Sequence, residues 1–192
     1  MKVGVLALQG AFDRHAKELS FLGATPVEIR GPKHLNDVDA LVIPGGESTT
    51  ILKLAQSLGV REQLLNRIDD GLPVLGTCAG MIVLSKVIID GRDDQFPLGS
   101  IDIDVRRNGY GRQLASFEAD LEVTGFQDTF RGVFIRAPLV ERVGESVEVL
   151  ASVEGHPVFC RQEKIMTTSF HPELVADGRI HKLFLELAFA SN

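Results

Sequence analysis

Gly71-Leu72-Pro73-Val74-Leu75-Gly76-Thr77-Cys78-Ala79-Gly80-Met81-Ile82-Val83-Leu84 decides how this chain is read. A short apolar run ends in Gly-Thr-Cys-Ala-Gly, and apolar residues at helical spacing resume directly afterwards. A buried strand that stops, a sharp turn and a new helix account for this pattern. The form is that of the Gly-x-nucleophile-x-Gly elbow, with Cys in place of Ser. Gly76 and Gly80 then make room where side chains would collide, and Cys78 stands on the turn with its sulfur exposed. Free N–H groups at the start of the following helix face that sulfur and favour thiolate over thiol. The plainer alternative is a small buried cysteine at a strand end. The two glycines and the strand-to-helix switch weigh against it.

Upstream of this stretch the chain alternates strand and helix. Val3 to Leu8 is nearly all apolar, as a strand buried on both faces requires. Ala11 to Leu22 reads as a helix ended by Gly23. Pro26–Arg30 and Asp39–Ile43 read as strands, the second stopping at Pro44-Gly45-Gly46. Ser48 to Leu58 carries Ile51, Leu52, Ala55 and Leu58 on one helical face, and Arg61 to Ile68 is a further helical piece. This order predicts an α/β fold of three layers, α/β/α, with a mixed, mainly parallel central sheet of flavodoxin-like type. Ligands in such sheets gather at the carboxyl ends of the strands. Both Gly-rich turns, after Ile43 and after Leu75, fall there.

Downstream, Asp90 to Gly99 is a polar loop, and Ile101 to Val105 alternates as a half-exposed strand does. Strand-like runs follow around Leu121–Val123, Gly132–Ile135, Val147–Val153, Val158–Arg161 and Ile165–Phe170. With turns between them and no long helix, they predict an antiparallel extension of the sheet. A final helix carries Ile180, Leu183, Phe184, Leu187 and Ala188 as one apolar stripe. No repeat, low-complexity tract or linker interrupts the chain, and its 192 residues suit one domain spanning 1–192.

Composition narrows the function. A net charge of −6 leaves no basic footprint, so no nucleic-acid partner is expected. No apolar run reaches membrane-spanning length, and the apolar start lacks a convincing cleavage site, so neither a membrane partner nor a signal peptide is expected. Cys78 and Cys160 lack metal-ligand spacing, which predicts no metal and a reduced, cytoplasmic setting.

A thiol nucleophile needs a base and a group that orients the base. Of five histidines, His15 and His181 fall in helices, where a solvated or half-buried ring is the default. His34 lies in a polar loop and His156 in a turn with no acid two positions on. His171 follows a strand directly, and Pro172 fixes the turn before Glu173. Glu173 can accept from one imidazole nitrogen while the other faces the thiol. Acyl transfer also needs donors for the developing oxyanion. The N–H of Ala79 is one, and the Pro44-Gly45-Gly46-Glu47-Ser48-Thr49 turn can supply another at Gly46. That turn also reads as a plain strand-to-helix connection with Ser48 or Thr49 as N-cap. No Lys precedes its hydroxyls, so it is not a Walker-type phosphate loop. Arg107 and Arg136 are candidate carboxylate clamps, and Cys160, mid-strand, reads as structural.

Gly76-Thr77-Cys78-Ala79-Gly80, Pro44 to Thr49 and Ser169-Phe170-His171-Pro172-Glu173 together resemble the three signatures of class I, triad-type glutamine amidotransferases. More narrowly, the chain resembles the PdxT family, the glutaminase subunits of pyridoxal 5′-phosphate synthase. That likeness rests on Leu8 to Ala11, Arg107 to Gln113, Ser116 to Asp120 and Gly132 to Pro138. The resemblance implies that Cys78 attacks the side-chain amide of L-glutamine, with His171 as base and then acid and Glu173 orienting it. Gly46 and Ala79 become the oxyanion positions. Gly46, Glu47, Ser48, Arg107, Ile135 and Arg136 become glutamine contacts. It implies no cofactor. It also implies a hetero-oligomeric complex in which ammonia passes to a synthase subunit that uses ribose 5-phosphate and glyceraldehyde 3-phosphate. Activity of the glutaminase alone should be low, with the Gly45–Gly46 peptide, and the Gln9–Gly10 turn beside it, misaligned until the synthase docks. Rival readings are a γ-glutamyl hydrolase or cysteine peptidase, the glutaminase of another amidotransferase, and a non-catalytic sensor of the same fold.

Overall fold

Apolar runs in the first half of the chain fold as parallel strands because each is covered on both faces. A computed structural model describes residues 1–107, 109 and 116–190. In chain order its first elements are β1 (Lys2–Leu6), α1 (Phe12–Phe21), β2 (Thr25–Ile29), β3 (Ala40–Ile43), α2 (Ser48–Ser57), α3 (Val60–Asp69), β4 (Val74–Thr77) and α4 (Ala79–Leu84). Then come β5 (Ser85–Ile88), β6 (Ile101–Arg106), β7 (Ser116–Leu121), β8 (Phe130–Ile135), β9 (Leu139–Val143), β10 (Glu148–Val153), β11 (His156–Gln162), β12 (Ile165–Thr168) and α5 (Arg179–Phe189).

The main sheet has the order β10-β11-β12-β4-β3-β1-β2. Its strands β2, β1, β3, β4 and β12 pair in parallel, while β11 pairs antiparallel with both β12 and β10. Period-two alternation sorts the side chains into two cores. Leu41, Ile43 and Val74 face α2, α3 and α4. Ala40, Val42 and Leu75 face Leu19 of α1 and Ile180, Phe184 and Ala188 of α5. The expected three-layer α/β/α fold is therefore present. Among the described residues no helix is long and apolar enough to cross a membrane.

The second half departs from a simple antiparallel extension. Among the described residues only β10 and β11 extend the sheet in that way. β12 instead inserts in parallel at its centre, beside β4. Its four residues are all buried, the burial pattern of an interior strand. Two further pieces form small sheets of their own, β5-β6-β9 and β7-β8. Their alternating burial suits a sheet with one covered face, and each covers one of the two cores. The strand anticipated around Leu121–Val123 ends at Leu121, and β5 and β9 are additional to the strands expected. The apolar run after Cys78 is helical only to Leu84.

The β7-β8 hairpin anchors the end of β12. Phe130 and Phe134 from the hairpin and Phe159 from β11 surround Phe170, with ring centroids 5.6, 5.7 and 6.2 Å from it. Phe170 is fully buried and immediately precedes His171. Phe170→Ala should lower the unfolding free energy by about 3–5 kcal/mol. Equilibrium urea unfolding measures it, and a loss below about 1 kcal/mol would show that the cluster relaxes around the gap.

Candidate active site

Two neighbouring strands of the sheet end level with one another. Thr77 of β4 pairs in register with Thr168 of β12, and the Cys78 N–H donates to the Thr168 carbonyl at 2.7 Å. Cys78 leaves one strand and the segment leading to His171 leaves the other. The His171 N–H is then fixed on the Val133 carbonyl of β8 at 2.8 Å. Cys78 has φ 49° and ψ −103°, a conformation that L residues hold only when their surroundings impose it. Both glycines of the elbow are sterically required. A Cβ at Gly76 would lie 2.6 Å from Leu84 Cδ1 and 2.8 Å from the Gly80 carbonyl carbon, and one at Gly80 would run into the Ile43 carbonyl oxygen.

His171 Nδ1 lies 2.8 Å from Glu173 Oε1, which leaves Nε2 free to exchange a proton with a thiol. Burial works against a charged His171, but its hydrogen bonds and charge interactions with Cys78 and Glu173 outweigh burial and push its pKa up to about 10. Burial likewise opposes the Glu173 carboxylate. The hydrogen bond from His171 and the charge of its imidazolium overcome it and hold the carboxyl below its usual range. The Cys78 thiol is also within reach of the Ile135 carbonyl, at 3.8 Å.

The Gly-rich turn after β3 closes the other side. A Cβ at Gly45 would stand 2.5 Å from His171 Cε1 and 3.4 Å from Cys78 Cβ, so only glycine lets the backbone pass there. The Gly45 carbonyl accepts the Ala11 N–H at 3.1 Å, and the Gln9 side-chain oxygen accepts the Glu47 N–H at 2.6 Å. The cap of α2 is Glu47 itself rather than Ser48 or Thr49. Its carboxylate accepts the N–H of Thr49 at 3.1 Å and of Thr50 at 2.7 Å. An acid is the better cap here because the N-terminal helix charge favours an anion.

Gln9, Gly46, Glu47, Ser48, Cys78, Ala79, Ile82, Arg107, Ile135, Arg136 and His171 line one cleft of about 370 Å³. All the site residues singled out from sequence except Glu173 thus meet in it, and Glu173 sits behind His171. Arg107 is steered by Thr49 Oγ1 at 3.2 Å and the Asp90 carbonyl at 3.1 Å. Arg136 is exposed, has φ 45° and makes no ion pair among the described residues. A strained backbone at both Cys78 and Arg136, on one cleft, fits a site whose geometry is imposed by its surroundings. Asn108 and Tyr110 to Gln113 of the motif that begins at Arg107 lie outside the described residues.

Several supporting residues carried no sequence signal. Asp90 and Gln95 belong to the polar loop. Asp90 holds Arg107, and Gln95 Nε2 donates to Ser48 Oγ at 3.2 Å. The expectation for His15 and His181 is corrected. Both rings are completely buried, and they contact each other at 2.9 Å. His15 shares the buried face of α1 with Leu19 four residues on, a spacing that could have revealed its position. His34 and His156 are exposed, and Cys160 is a buried thiol whose pKa burial pushes up to about 12. Among the described residues no group of His, Cys, Asp and Glu is placed to hold a metal.

The model of the SNO glutamine amidotransferase family matches residues 5–189. The chain is 52% identical over 188 residues to pyridoxal 5′-phosphate synthase subunit PdxT of Mycobacteroides abscessus, covering 98% of this chain and 97% of that protein. It is 50% identical to the subunit of the same name from Thermosipho africanus, over 97% of this chain and 98% of that one. A crystal structure of a glutamine amidotransferase superposes with a TM-score of 0.92 at 51% identity, over 97% of this chain and 98% of the other. The cleft, the elbow and these full-length likenesses have one common conclusion: the chain belongs to the SNO family of glutamine amidotransferases.

Proposed function

We infer that this chain, acting as a single glutaminase domain, hydrolyses L-glutamine and supplies the ammonia to a synthase subunit that makes pyridoxal 5′-phosphate. The observation that carries the reading is the meeting of Cys78 with His171 in one cleft, with Glu173 paired to His171 behind it. It occurs in a chain that is half identical, end to end, to relatives named as a subunit of that synthase.

Cys78 sulfur attacks the side-chain amide carbon, and the carbonyl oxygen takes up negative charge. The N–H groups of Ala79 and Gly46 are the donors we assign to that oxyanion. His171 gives its Nε2 proton to the departing nitrogen, ammonia leaves, and a γ-glutamyl thioester remains on Cys78. A water molecule then loses a proton to His171 and attacks the thioester, releasing glutamate and restoring the thiolate–imidazolium pair. Glu173 accepts from Nδ1 throughout and favours the charged imidazolium. Arg107 and Arg136 offer cations for the α-carboxylate, Ile135 lines the cleft beside Arg136, and Glu47 and Ser48 complete the contacts at the head of α2.

Ammonia released into bulk water would be protonated and lost, so hydrolysis is useful only beside the enzyme that consumes it. We assign that enzyme to a hetero-oligomeric complex with this chain, where ammonia joins ribose 5-phosphate and glyceraldehyde 3-phosphate. The setting is the reducing cytoplasm, consistent with two free cysteines. The Gly45 carbonyl is tied to Ala11 N–H, next to the Gln9–Gly10 turn. Docking that disturbs this turn would release the Gly45–Gly46 peptide to turn its N–H toward the oxyanion, at the low steric cost glycine allows.

Glutamate release from L-glutamine by the purified chain, with and without the synthase subunit, tests the reading. Release should rise with the subunit and vanish in Cys78→Ala. Equal rates with and without it would sink the coupling, and release that survives the substitution would sink the nucleophile. His171→Asn should cost about 10²–10⁴-fold in kcat. Because proton donation to ammonia needs charged His171, kcat/KM should hold through neutral pH and fall as pH rises toward about 10. An alkaline limb centred near pH 7 would contradict the paired imidazolium.

A further inference from the structure

Behind the cleft, α1 and α5 carry two histidines into the interior that the proposed chemistry does not use. His15 Nδ1 is 2.9 Å from His181 Nε2. His15 Nε2 is 3.2 Å from Thr77 Oγ1 and 3.4 Å from Glu173 Oε2. The other Glu173 oxygen holds His171 at 2.8 Å. A buried row therefore runs His181–His15–Glu173–His171, and its last member faces Cys78. Apart from the His15 contact, Glu173 Oε2 is buried with no hydrogen-bond partner among the described residues.

Counting protons fixes the direction of the row. Burial is the main influence lowering the pKa of both His15 and His181, the latter to about 3, so both rings are neutral and each carries one N–H. One proton lies between them. On His15 Nδ1, it would leave the bare Nε2 lone pair pointing at a buried carboxylate oxygen. On His181 Nε2, it leaves His15 protonated at Nε2, a donor toward Glu173 and Thr77. The second arrangement leaves His181 Nδ1 bare and without a partner. An unpaired neutral acceptor costs less than an unpaired buried carboxylate oxygen.

We propose that His15 is a positioning residue for the glutaminase: a neutral Nε2–H donor, with its tautomer set by His181, that holds Glu173 in place for His171. This rests on the triad reading above. The groups that face His15 are Glu173 and His171 beyond β12, His181 from α5 and the uncharged Thr77 from β4. Neutrality matters. A charged His15 would compete with His171 for the one carboxylate, whereas a neutral donor steadies Glu173 and leaves its charge to the imidazolium that forms at His171.

The wild-type chain, uniformly labelled with ¹⁵N, gives a readout free of catalysis. Both buried rings should be Nε2–H tautomers and stay neutral between pH 5 and 8, with assignments from the His15 and His181 variants. An Nδ1–H tautomer at His15, or titration in that window, overturns the proposal. In kinetics with the synthase subunit, His15→Gln places an amide near the Nε2 position and His15→Asn near Nδ1. The Asn variant should lose about 10–100-fold in kcat, the range for a lost bond to a charged group, with KM unchanged. Its acid limb should move to higher pH, because Glu173 loses a donor to its charged form, while the Gln variant stays within a few-fold of wild type. Equal behaviour of the two folded variants overturns the proposal, and should Asn unfold the chain, the wild-type tautomer decides. If wild type releases no glutamate, the triad reading fails instead, and the tautomer result stands separately.

Discussion

The parallel register of β4 against β12 is the constraint on which the rest of the molecule depends. With Thr77 level with Thr168, and the Cys78 N–H held on the Thr168 carbonyl, two strand ends from distant parts of the chain finish side by side. A one-residue slip would turn every β12 side chain to the opposite core and carry His171 away from Cys78. Such a slip is resisted by Met166 in one core and Ile165 in the other. The same packing that stabilises the sheet therefore sets the spacing between sulfur and imidazole.

Strain and buried polarity are tolerated only because this frame is stiff. Cys78 sits in a backbone region that costs of order 1–3 kcal/mol. His15, His171, Glu173 and His181 are all taken out of water, where unpaired polar groups are costly. Each is placed against another of the set, so the interior accepts a charged carboxylate and an imidazole whose pKa rises to about 10 within a few ångströms. The two helices that supply His15 and His181 carry the outer layer on one face of the sheet, so that layer both covers the core and backs the cleft.

Local pattern made the first half of the fold legible. Continuous apolar strands, helical stripes and two Gly-rich turns each have a short-range cause, and elements from β1 to β4 lie within a few residues of their expected bounds. In the second half, alternation revealed that strands exist but not where they go. Pairing partners of β12 depend on long-range burial, and Ser85–Ile88 and Leu139–Val143 carry too little pattern of their own. The cleft followed the same division. Cys78, His171 and the Gly-rich turn announce themselves through glycine and proline. Asp90, Gln95 and His15 act through contacts with residues far away in the chain, and nothing beside them in the sequence marks those contacts.

That division also separates two kinds of work. The parallel half supplies the elbow and the Gly-rich turn, both built from backbone that glycine frees to approach closely. The later half supplies His171, Glu173, Ile135 and Arg136, brought in by the end of β12 and the β7-β8 hairpin. Neither half alone closes the cleft. Cys78 without the β12 end has no partner for its N–H, and His171 without β8 loses the Val133 carbonyl that holds its own N–H. Chemistry in this chain thus requires the completed long-range sheet, because a partly folded chain cannot bring the sulfur and the imidazole together.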